Sequence, residues 1–148
     1  MRGELPEMCG NVQEHGVLMD YFAVLFTGLL SASLIAGTIE LLRFDRLTAG
    51  SLILTAIGFV YVGFAGDDTT LLLFNGTQAL VIWLLAYGGL RKNPMLIPLG
   101  LLLHTGWDLG YHYLVTGTGI PKGYELYCVV VDLGLAGYFY VCFSEKSN

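Results

Sequence analysis

Residues 21–44, YFAVLFTGLLSASLIAGTIELLRF, carry no Asp, Glu, Lys or Arg before Glu40. A helix needs about 20 apolar residues to cross the roughly 30 Å hydrocarbon core of a bilayer. This run meets that length. It follows a polar, acidic leader at residues 1–19 and is longer than the core of a signal peptide, so it reads as an anchor.

Four further runs of similar character follow at 48–66, 69–90, 94–115 and 124–143. The 148-residue chain is 55% hydrophobic and 13% charged, with mean hydropathy +0.65, whereas soluble domains carry about 25% charged residues. So few charges cannot coat a soluble core; a bilayer supplies the apolar surroundings instead. The connections between runs are short, which predicts that successive helices are antiparallel neighbours. The expected fold is therefore all-α, a compact bundle of five transmembrane helices forming one domain over residues 20–144, with a polar tail at 145–148. It describes a multi-pass integral protein of the cell membrane whose surroundings are membrane lipids.

The basic residues alternate between connections. Arg43 and Arg46 lie between the first two runs, Arg91 and Lys92 between the third and fourth, and Lys146 after the fifth. The opposite side carries the acidic leader, Asp67, Asp68 and a single Lys122. Because cytoplasmic connections are the basic ones, this pattern predicts the N-terminus outside and the C-terminus inside.

Several features read as structural. Tyr21, Tyr61, Tyr87, Tyr113, Tyr124 and Tyr140 fall toward run ends, where tyrosines anchor helices at the interface. Ala32 with Ala36, and Gly106 with Gly110, are small residues at helical spacing that let helices approach, and they leave room for a homo-oligomer. Glu40 and Arg43, three residues apart, form a predicted solvated ion pair. Asn75-Gly76-Thr77 matches a glycosylation sequon but sits inside the third run, where a glycan would meet lipid. Three cysteines, Cys9, Cys128 and Cys142, cannot build a disulfide framework. The net charge of −5 and the absence of a basic run argue against nucleic acid as a partner.

The fourth run contains the chemistry. In LLLHTGWDLGYHY, residues 101–113, His104, Asp108 and His112 recur every four positions, and at about 100° per residue they share one helix face. Tyr111 and Trp107 lie beside them. Ionisable groups facing lipid cost several kcal/mol each, so this stripe faces the bundle interior or a wet cavity. On the fifth run Glu125, Cys128 and Asp132 fall on one side. Asp108 and Asp132 each lie eight residues from the outer ends of their helices, about 12 Å deep. The two carboxylates are therefore level. Asn75 and Gln78 on the third run reach a similar depth.

Two chemistries suit this set. His and Asp at i and i+4 reach one metal ion, and Asp132 or Cys128 could complete its shell; His104, Asp108, His112 and Asp132 are the candidate ligands of a divalent ion such as zinc or iron. Without metal, one of two neighbouring carboxylates keeps its proton, which yields an acid and a base. In both versions the catalytic candidates are Asp108, Asp132, His112 and His104, and Trp107, Tyr111, Asn75 and Gln78 line the pocket.

The pattern His104-x-x-Trp107-Asp108-x-x-x-His112, followed by Cys128-x-x-x-Asp132, resembles a family of small bacterial integral membrane proteins catalogued as a domain of unknown function. The likeness is carried by the last two helices, and where that family often has two adjacent histidines this chain has Tyr111-His112. The resemblance singles out the same residues and implies no mechanism.

The expectation is a membrane-embedded enzyme acting on an apolar or amphiphilic substrate of isoprenoid or lipid type, by isomerisation, cyclisation or hydrolysis. A proton-coupled carrier or channel is the alternative, and an assembly or sensor subunit with a polar seam is a third.

Overall fold

The computed structural model describes the backbone of residues 7–115, 120–121 and 123–145, and the side chains from Asp20 onward except those of His112 and Leu114. The described residues form five helices and no strand: α1 (Glu7–Leu41), α2 (Arg46–Gly63), α3 (Thr69–Arg91), α4 (Leu96–Leu114) and α5 (Tyr124–Ser144). Four segments are long and apolar enough to cross a membrane, Asp20–Leu41 within α1, and α2, α3 and α5. This is consistent with a membrane protein. The exception, α4, is the helix whose His104, Thr105, Trp107 and Asp108 dilute its apolar content.

Local chemistry sets the ends of the helices. After Leu41 the chain turns with Arg43 in the left-handed region (φ 54°), and Asp45 caps α2, its carboxylate accepting from Thr48 N at 2.8 Å and Thr48 Oγ1 at 2.7 Å. Helix α1 thus ends earlier, and α2 begins earlier, than apolarity alone predicts. Gly66 supplies a positive φ of 55° in the next turn. Asp68 then caps α3 by accepting from Thr70 N and Leu71 N. One member of the acidic pair is thereby a helix cap.

The helices do not pack in chain order. Helix α5 is central to one side of the bundle, contacting α1 and α4, while α2 packs on α3 and α3 on α4. The prediction that successive helices are neighbours fails for the first pair: α1 lies along α5, away from α2. A groove of about 540 Å³ separates α1 from α2, lined by apolar side chains including Leu34, Ile35, Ile39, Leu52 and Ile53. At the closed end of this gap Glu40 pairs with Arg46, at 2.8 Å through both carboxylate oxygens, and not with Arg43. Tyr138 of α5 donates to the same carboxylate, which ties the end of α1 to α5.

Close approach depends on small residues, though not on all those the spacing suggests. A Cβ added at Gly134 would lie 2.8 Å from the Cβ of Ala32, at Gly28 2.8 Å from Val130 Cγ1, and at Gly58 2.7 Å from Ile82 Cγ2. These contacts seat α1 on α5 and α2 on α3. Gly106 faces outward, with nothing within 4 Å of an added Cβ, so this member of the predicted seam makes no close contact among the described residues.

The interior is layered. Leu54, Ile82, Ile97, Leu101, Leu135 and Phe139 are buried together as an apolar layer. One turn or two farther along the same helices, toward the ends carrying Asp67 and Ile120, the buried residues become polar. In lipid, packing of such an apolar layer gains mainly dispersion energy, because the surroundings are equally apolar. The outward faces carry Phe22, Phe26, Leu29, Leu34, Leu52 and Leu73, all well exposed.

Candidate functional site

The polar layer begins with His104 on α4. Its Nδ1 lies 2.9 Å from Asp132 Oδ2 on α5 and 3.5 Å from Asp108 Oδ2, one turn along its own helix. All three side chains are at most 1% exposed. One ligating atom from each lies within 4.8 Å of the others. The antiparallel packing of α4 on α5 produces this meeting, since residues equally far from the shared end come level.

Satisfaction within the cluster is uneven. The His104–Asp132 contact is a hydrogen bond. Both oxygens of Asp108 and Nε2 of His104 are buried without a hydrogen-bond partner. Buried polar atoms are almost always paired, and an unpaired one costs about 1–3 kcal/mol, more if charged. The unpaired atoms mark where a ligand, an ion or water belongs.

A ring of aromatic and amide groups encloses this centre. The ring of Tyr61, from α2, stands 5.8 Å from the His104 imidazole and 4.4 Å from Tyr111. Asn75 of α3 donates through Nδ2 to Tyr61 O at 2.7 Å and to Tyr111 Oη at 3.2 Å. Four helices thus contribute to one polar layer. Trp107 is half-buried, its ring 4.9 Å from Phe74 and 6.0 Å from Tyr111. The hydroxyl of Tyr61, the indole nitrogen of Trp107, Asn75 Oδ1 and both amide atoms of Gln78 are buried and unpartnered.

Of the residues singled out by pattern, His104, Asp108 and Asp132 converge, and Tyr111, Asn75 and Trp107 join the surrounding layer. Gln78 is buried one turn from Asn75 without a hydrogen bond. The side chain of His112 lies outside the described residues. Cys128 is half-buried one turn before Asp132. The buried amide of Asn75, engaged twice, cannot serve as a glycan acceptor.

Tyr61 is the residue that pattern reading misplaces. Its position near the end of α2 suggests an interfacial anchor, yet it is fully buried against Tyr111. A signal for this exists in the sequence. Leu54, Gly58 and Tyr61 are spaced at i, i+4 and i+7, one face of a helix, and all three are buried. Tyr21, Tyr87, Tyr113 and Tyr140 do point outward, as anchors should.

Residues 19–145 match the model of a family of unknown function, DUF6010. The chain belongs to that family. The DUF6010 match spans the apolar part of α1 and all of α2 to α5, so the kinship extends well beyond the two helices that carry the His/Asp pattern. No curated protein and no solved structure matches the chain.

Proposed function

We propose that this protein is a membrane-embedded enzyme whose centre is His104, Asp108 and Asp132, acting on an apolar or amphiphilic substrate of isoprenoid or lipid type. In this reading all five helices span the cell membrane, with the N-terminus outside and the C-terminus inside. The polar layer then occupies the outer half. The observation that carries the proposal is the buried Asp108 carboxyl, which has no hydrogen-bond partner for either oxygen. A group held only as glue between helices would be paired, since its bonds are its reason for being there.

The chemistry follows from charge. Two carboxylates held close in a low-dielectric interior cannot both stay ionised without a cation. A proton on one of them makes a general acid beside a general base, oriented by the imidazole between them. An isomerisation or cyclisation then needs one proton delivered to the substrate from one carboxyl and one returned to the other, with no net change in the enzyme. A hydrolysis adds one water, activated by the same base. A metal ion in the same place would polarise a substrate oxygen instead.

The carrier alternative requires polar groups along a path through the whole bundle. Among the described residues the buried polar groups other than Ser51 and Thr105 are Asn75, Gln78, His104, Asp108 and Asp132, crowded toward one half. Helices α2 to α5 also run without interruption, in contrast to the broken helices of many transporters.

The test is turnover in lipid. Purified protein in nanodiscs made from a total lipid extract enriched with isoprenoid alcohols is incubated and compared by mass spectrometry with Asp108→Asn and Asp132→Asn. A product formed by the wild type and missing from both variants is expected. Identical lipid profiles, together with proton-driven flux in liposomes, would replace the enzyme with the carrier.

A further inference from the structure

Buried charge in this bundle has to balance locally. Among the described residues no lysine or arginine is buried, so among the described side chains the carboxylates of Asp108 and Asp132 have no cation within the layer except a protonated His104. Three arrangements are neutral: an imidazolium with one ionised and one protonated carboxyl, a neutral imidazole with two protonated carboxyls, or a neutral imidazole with two carboxylates and a divalent cation. They differ in what Asp108 requires. A protonated Asp108 needs an acceptor for its O–H and an ionised one needs donors, yet neither oxygen makes a hydrogen bond, the contact to His104 Nδ1 standing at 3.5 Å. A cation satisfies the carboxylate without a protein hydrogen bond.

Ligand spacing agrees. Four-coordinate zinc with Zn–N and Zn–O bonds near 2.0–2.2 Å places adjacent ligand atoms roughly 3.4 Å apart by tetrahedral geometry. His104 Nδ1 stands 3.5 Å from Asp108 Oδ2, which matches, and 2.9 Å from Asp132 Oδ2, a hydrogen bond that lengthens by about 0.5 Å when both atoms become ligands. Two ligands come from one turn of α4 and the third from α5, so the site exists only when these helices pack. A second observation points the same way. The hydroxyl of Tyr61, fully buried with its ring 5.8 Å from that of His104, interacts with Asp108 but makes no well-formed hydrogen bond, as expected of a group at the edge of a ligand site.

We infer that His104 Nδ1, Asp108 and Asp132 bind one divalent first-row transition-metal ion, of the zinc or ferrous-iron class. One imidazole with two carboxylates suits these ions; magnesium and calcium prefer all-oxygen shells. Three protein ligands leave at least one position open, the arrangement of catalytic rather than structural sites. With Nδ1 on the ion the ring proton sits on Nε2, which is buried without a hydrogen-bond partner. This inference rests on reading the cluster as the functional centre, and the two fail separately: turnover by metal-free protein would leave the enzyme without the ion, and a stoichiometric ion without turnover would leave the ion without the enzyme.

The experiment is elemental analysis of full-length protein purified in detergent from cells grown with added zinc and iron, followed by chelation and titration with cobalt(II). One ion per chain is expected, together with the intense visible bands of four- or five-coordinate cobalt. His104→Ala, Asp108→Asn and Asp132→Asn should each reduce both signals to background while size-exclusion and circular dichroism profiles persist. Folded wild type with no stoichiometric metal and no cobalt spectrum overturns the inference, as does full metal content in all three variants. If the variants misfold, the wild-type cobalt spectrum decides, because a surface ion keeps the weak spectrum of hexa-aqua cobalt.

Discussion

His104 Nδ1 on α4 lies 2.9 Å from Asp132 Oδ2 on α5, with both side chains buried. The contact joins positions 28 residues apart and is the only hydrogen bond described for either side chain. Both the packing of α4 on α5 and the proposed chemistry depend on it.

Asp132→Asn and Asp132→Leu should therefore separate the two roles. In metal-free protein asparagine keeps an oxygen that can accept from Nδ1, so the protein stays folded, within about 1 kcal/mol of wild type, yet loses turnover. Leucine leaves the imidazole unpaired in the interior and costs about 1–3 kcal/mol. Thermal unfolding in detergent followed by circular dichroism measures the difference. Equal losses of stability would mean that the hydrogen bond contributes nothing.

Tyr61→Phe removes a buried hydroxyl that has no partner while keeping the ring against Tyr111. Stability should be unchanged or slightly raised, since an unpaired polar atom leaves the interior. Turnover should fall. A marked drop in melting temperature would show that the hydroxyl is bonded within the protein.

Gly58 and Gly106 make opposite predictions for the same substitution. A methyl group at Gly58 meets Ile82 Cγ2 at 2.7 Å and its Cβ at 2.9 Å, so Gly58→Ala forces α2 from α3 and costs about 1–3 kcal/mol, as overpacking does. Gly106→Ala meets nothing and gains up to about 1 kcal/mol of helix propensity. If Gly106→Ala proves the more damaging in unfolding measurements, that face is covered by a second copy of the chain.

Topology can be read with single cysteines placed at Asp67, Lys92 and Ile120 in a chain whose own cysteines are serine. Membrane-impermeant maleimide should label positions 67 and 120 on intact cells and position 92 only after permeabilisation. Labelling of 92 and 120 from the same side would show that α4, the most polar helix, does not cross.

Much of this organisation was legible from spacing. The five helices follow from apolar runs, and the level placing of Asp108 with Asp132 follows from counting residues back from the connection between α4 and α5. Such counting works because helices have a fixed rise and antiparallel neighbours share an end. It fails where the partner is not the next helix. The splaying of α1 from α2, and the pairing of Glu40 with Arg46 and Tyr138, depend on how α1 seats against α5. That contact is made by Ala32 on Gly134 and Val130 on Gly28, between residues about a hundred positions apart.

By itself the sequence determined the elements and the expectation of a lipid solvent: long apolar runs can satisfy their backbone in lipid only as helices, and a His/Asp stripe on one of them is then expected to face inward. Only the tertiary structure decided what that stripe meets. It brought Asp132 to His104, turned Tyr61 from an expected surface anchor into a wall of the site, and left Asp108 without a hydrogen bond. Those outcomes depend on helix rotation and on close approach at glycines, which periodicity along a single helix does not encode.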